Sequence, residues 1–199
     1  MPRTAFRLFV TVVLLLAPSI AFAHPGHGGD SSLLAGLIHP FGGIDHLLAM
    51  TAVGLFAAQL GGRALWAVPA TFVAVMAFGG IFGAAGVSLP FVETAIALSV
   101  VVFGFVIFSG TAPPVLAAMA LVGIFAIFHG YAHGSEMPVA GSGVLYGTGF
   151  MVATALLHGF GITLGLAIGW FDEVPRRRAM QACGAAIGLI GAGLIIGLV

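Results

Sequence analysis

Lysine is absent from the 199 residues, and fixed charge of either sign is scarce: six arginines and six acids make up 6% of the chain. Soluble domains carry about 25% charged residues. Six scattered arginines build no basic face, which excludes nucleic acid as a partner. Without lysine there is no Walker A sequence, so the chain does not hydrolyse a nucleotide itself. A single cysteine, Cys183, excludes both a disulfide framework and a CxxC metal site. Two tyrosines and two tryptophans leave few interfacial anchors. In their place stand 60% hydrophobic residues, a mean hydropathy of +1.20 and 31 glycines without a collagen period. These numbers rule out a soluble globule, a disordered tail and a coiled coil, and leave a polytopic membrane protein. Against that background, seven histidines outnumber the fixed charges of either sign.

Residues 1–23 read as a secretory signal peptide. Arg3 and Arg7 give a positive start, Leu8 to Leu16 an apolar run too short to span, and Ala21-Phe22-Ala23 a small-x-small cleavage site. Cleavage leaves His24 at the mature end, followed by a polar periplasmic segment, 24–32 (HPGHGGDSS). The remainder, 33–199, is expected to be an all-α transmembrane bundle of six helices near 33–60, 64–86, 91–109, 114–135, 144–170 and 179–199. About 20 apolar residues cross hydrocarbon, and runs without strand alternation satisfy their backbone as helices. Past the signal, the arginines are Arg63 between spans 1 and 2 and Arg176 to Arg178 between spans 5 and 6. The positive-inside rule makes those loops cytoplasmic in a bacterial inner membrane, with both mature termini periplasmic.

Small residues recur four apart, as in Gly79 and Gly83, Gly161 and Gly165, and Gly184 and Gly188, which lets helix backbones approach closely. Ionisable residues at membrane depth are costly and usually face the bundle interior with a function. Span 1 carries HPFGGIDHLLAM at 39–50. At about 100° per residue, His39 and His46 fall two turns apart on one face, with Asp45 beside His46. Pro40, Gly42 and Gly43 are expected to kink or open the helix between them. Span 4 ends FHGYAHGSEMP, with His129, His133 and Glu136 on one stripe near the periplasmic surface. Span 5 carries His158 in LLHGFGITLG. Glu93 opens span 3, where it serves the helix N-terminus. Met50, Met137 and Met151 read as core, and Cys183 as packing.

Neutral imidazoles with carboxylates suit Ni²⁺, Co²⁺, Cu²⁺ and Zn²⁺. The candidate metal ligands are therefore His39, Asp45, His46, His129, His133, Glu136 and His158, with His24 and His27 as capture ligands on the N-terminal segment. Asp45 and Glu136 act either as ligands or as acceptors that fix a histidine tautomer. Pro25 has no N–H, which blocks a square-planar site built on successive backbone amides.

The segments 39–50, 128–138 and 156–165, together with the signal peptide, the histidine at the mature end and six spans, resemble the HupE/UreJ family. These are membrane accessory proteins of hydrogenase and urease gene clusters, and the resemblance covers essentially the whole chain. It implies a nickel permease, sometimes carrying cobalt, that supplies metal for enzyme maturation. It maps the family's functional residues to His39, Asp45, His46, His129, His133 and Glu136. The resemblance supplies nickel; the ligand types alone leave Ni²⁺, Co²⁺ and Zn²⁺ open.

The expected function is thus transport of a divalent metal ion as cargo, with no resident cofactor, no nucleotide and no catalytic residues. Two other classes stand beside it. His129 and His133 form half of a zincin site, which would make an intramembrane metalloenzyme with Glu136 or Glu93 in place of the missing adjacent Glu base, whereas a serine protease lacks its G-x-S-x-G elbow. A metal sensor or maturation scaffold would bind the ion without moving it.

Overall fold

The computed structural model describes residues 33–137 and 142–198. Among them all regular structure is helical: α1 (Leu33–Ile38), a 3-10 turn (His39–Phe41), α2 (Ile44–Leu60), α3 (Ala64–Ala84), α4 (Val92–Ser109), α5 (Val115–Ser135), α6 (Gly143–Ile168) and α7 (Glu173–Ile195). The five helices α3 to α7 are each long and apolar enough to cross a bilayer. Residues 1–23 and 24–32, with His24 and His27, lie outside the described residues.

The first span opens at Pro40, Gly42 and Gly43, as expected, and it opens sharply. Leu33–Phe41 and Ile44–Leu60 meet at 86°, so they form a broken crossing or a re-entrant element, and six crossings are reached only by counting the pair as one. Pro40 occupies the 3-10 turn and brings no N–H to a helical ladder. Gly43 then takes an extended conformation (φ −117°, ψ 127°) before α2 starts. The face shared by His39 and His46 on a continuous helix therefore does not exist.

A second correction concerns the last span, expected from 179. Helix α7 begins at Glu173, after Asp172 at its N-cap, so Arg176 to Arg178 lie on the helix and not in a loop. Acidic groups at a helix N-terminus and a proline in its first turn both favour an early start. The arginines lower local hydropathy without ending the helix.

Glycine sets the packing. A Cβ at Gly79 would collide with the carbonyl of Ile127, and one at Gly83 with that of Tyr131, which locks α3 to α5. Gly130 and Gly134 return the fit against Met76 and Gly80. Gly54 and Gly161 lie backbone to backbone where α2 crosses α6, and Gly36 and Gly149 do the same for α1 on α6. Gly104 and Gly184 join α4 to α7. Close approach of this kind is how helices associate where lipid offers no hydrophobic drive. Gly147, in contrast, faces open space. The core centres on α2, whose residues Ala49 to Ala57 are all buried.

Candidate metal site

The break after α1 decides the geometry. Because the chain turns through 86° there, His39 on the 3-10 turn and His46 in the first turn of α2 approach α5 separately. Both meet His133: the His39 ring lies 4.8 Å and the His46 ring 4.4 Å from it, centroid to centroid. His46 also stands 5.2 Å from His129, one turn earlier on α5. Residues far apart in the chain thus form one imidazole cluster.

Glu136 stays on the same side of α5 as His133: its N–H still bonds the Ala132 carbonyl, and its ligand atom lies within 4.8 Å of that of His133. It caps the helix just past Ser135, and its carboxylate Oε2 lies 3.7 Å from Nε2 of His39. His39, His133 and Glu136 each offer one ligand atom, all within 4.8 Å of one another. They line a cleft of about 570 Å³ with Asp45, His46 and Glu93. His39 and Glu136 are exposed at this mouth, their side chains 38% and 58% accessible, while His133 is buried. The sequence reading had left Glu93 at its helix end. It belongs to the cleft because α4 enters the bundle at this level, which local spacing does not reveal.

Hydrogen bonds define the tautomers. Asp45 Oδ1 accepts from Nδ1 of His46 at 2.8 Å and from the His46 backbone N–H at 2.7 Å. His129 Nδ1 donates to the carbonyl of Phe125 at 3.0 Å, and His158 Nδ1 to that of Met50 at 2.8 Å. A carbonyl or carboxylate only accepts, so all three rings carry their proton on Nδ1 and leave the Nε2 lone pair bare. Among the described residues those three Nε2 atoms are buried without a partner, as are both ring nitrogens of His133. Buried polar atoms are nearly always satisfied, so five bare nitrogens in one region are a chemical signature. A second group holding Nδ1 and aiming Nε2 is how proteins prepare histidine for a metal.

His158 stands apart from the cleft. Its ring is 5.2 Å from Phe72, and Phe72 is 5.5 Å from His129. The structure thus brings His39, Asp45, His46, His129, His133 and Glu136 together and joins His158 to them through an aromatic ring. No periodicity in the sequence marked Phe72.

Fold and site together define a multi-pass helical membrane protein with a histidine-lined cleft. The chain belongs to the HupE/UreJ family: the family model described as HupE / UreJ protein matches residues 12–194. It is 46% identical over 192 residues to Protein HupE of Rhizobium leguminosarum bv. viciae, covering 96% of this chain and 98% of that protein. No solved structure matches the chain.

Proposed function

We propose that this protein is a nickel permease, with cobalt as a second cargo. It would take the divalent ion from the periplasm across a bacterial inner membrane to supply hydrogenase or urease maturation. The observation that carries the reading is the set of buried, unpartnered imidazole nitrogens on His46, His129, His133 and His158, continuous with an open mouth at His39 and Glu136. A purely structural role would pair those atoms. Imidazole and carboxylate donors suit Ni²⁺ and Co²⁺. The mouth would take the ion through His39, His133 and Glu136, with Asp45 holding His46 in its ligating tautomer. His24 and His27 would deliver the ion to the mouth from the N-terminal segment. Orientation follows from Arg63 and Arg176 to Arg178 on the cytoplasmic side, with Trp66 and Trp170 exposed at the same end. The protein would act as a carrier and not as an enzyme, with neither resident cofactor nor nucleotide.

The test is uptake of Ni²⁺, Co²⁺ and Zn²⁺ into proteoliposomes, with and without a pH gradient. Saturable uptake of nickel, lost in His46→Ala and His133→Ala, is expected. Uptake no faster than in protein-free liposomes overturns the reading, and binding without uptake points to a sensor or scaffold.

A further inference from the structure

His158 lies deeper than the cleft and is 1% exposed. Its Nδ1 is committed to the Met50 carbonyl, which links α6 to α2. The Nε2 has no partner among the described residues, and leaving it unpaired costs free energy.

Its surroundings contain other weak donors. Thr154, one turn earlier on α6, is fully buried and directs its hydroxyl to the Met76 sulfur at 3.8 Å. Thr51, next to Met50, carries a buried hydroxyl without a partner. Phe72 and Met76 are one turn apart on α3, and Met76 lies at the level of Gly130 between His129 and His133, so Thr154 and Met76 stand on the cleft side of His158 and Phe72. Imidazole nitrogen is a borderline donor, and the hydroxyl and thioether on the approach are neutral groups, unlike the all-oxygen shells of Mg²⁺ or Ca²⁺.

We propose that Nε2 of His158 is an inner transit site for a divalent first-row transition ion, reached from the histidine cleft past Phe72. The proposal rests on the permease reading and divides its pathway in two. The outer cleft supplies several nitrogens and a carboxylate, whereas the inner site supplies one nitrogen and neutral groups. An ion held by fewer donors leaves more readily, and conduction requires a site that is weak enough to empty. His158 is thus a step on the way through, and the outer cleft is where the ion is captured.

The experiment compares wild type with His158→Asn, which keeps a donor for the Met50 carbonyl and removes Nε2. Purified protein is titrated with Co²⁺, whose visible absorption reports the ligand set, and nickel uptake is measured in proteoliposomes. His158→Asn is expected to bind the outer ion with unchanged spectrum and affinity but to lose one equivalent at saturation. Uptake is expected to slow roughly 10- to 100-fold, the usual range for losing a group that tunes a metal site. Uptake within twofold of wild type overturns the inner site and leaves the permease reading standing. Absence of any bound Co²⁺ in wild type overturns both. Should His158→Asn fail to fold, His158→Cys is titrated with Cd²⁺. A thiolate-to-cadmium absorption absent from wild type, which retains Cys183, supports the inner site, and its absence overturns it.

Discussion

Asp45 grips the neighbouring His46 at two points with one oxygen, 2.7 Å from its backbone N–H and 2.8 Å from Nδ1. The backbone bond anchors the carboxylate at the start of α2. The ring bond holds the imidazole proton on the side away from Nε2. Asp45→Asn keeps the shape but makes the group a poorer acceptor and lets the tautomer exchange. Metal affinity is expected to fall roughly 10- to 100-fold with the fold intact. Calorimetric titration with Ni²⁺ checks this, and an unchanged affinity would mean that the Asp45 contact serves only the helix end.

His133 is the ring shared by the cluster, in contact with both His39 and His46. His133→Ala should abolish nickel-dependent hydrogenase or urease activity when nickel is limiting, with recovery when nickel is abundant. Wild-type activity under limitation contradicts the role assigned to the cleft. Phe150 packs on the same ring at 3.9 Å, so protein abundance in the membrane is measured alongside.

Acidification should weaken binding. The ligating form of imidazole is neutral, and a proton on Nε2 removes the lone pair that the ion needs. Affinity for Ni²⁺ is therefore expected to decline as pH falls. Competition assays from about pH 8 to about pH 5 span the imidazole range. An affinity that rises with acidity would contradict ligation by histidine.

The crossing of α2 and α6 leaves no room for a methyl group at Gly54, where a Cβ meets the His158 carbonyl. Gly54→Ala is expected to destabilise the protein by about 1–3 kcal/mol through overpacking and to shift His158. A lowered unfolding midpoint in detergent, together with slower uptake, is the expected result. A midpoint equal to that of wild type would refute the close contact.

Helix positions were legible because hydropathy and length mark spans directly, and α3 to α6 lie close to their expected limits. The ligand motifs were legible because charged groups stand out in an apolar chain. Angular arithmetic failed at His39 and His46, since Pro40 and Gly43 end the periodicity it depends on. It held at His133 and Glu136, because the C-cap residue keeps its helical bond to Ala132. Arg176 to Arg178 pulled the start of α7 too far along, because hydropathy reads charge as a loop while the backbone reads Asp172 and Pro175 as a helix start. Glu93 and Phe72 carry no local signal. Their place beside the histidines arises from tertiary packing of α4 and α3.

The glycine contacts also govern motion. Helices that touch through their backbones, α3 with α5 and α4 with α7, have no side-chain cushion over which to slide and so travel as rigid couples. Relative movement is left to the looser boundary between α3 and α6, where Met76, Gly80 and Met151 line an apolar crevice of about 430 Å³ that reaches His133. Backbone contact thus binds each couple tightly, and an apolar crevice beside them lies against the histidine at the centre of the cluster.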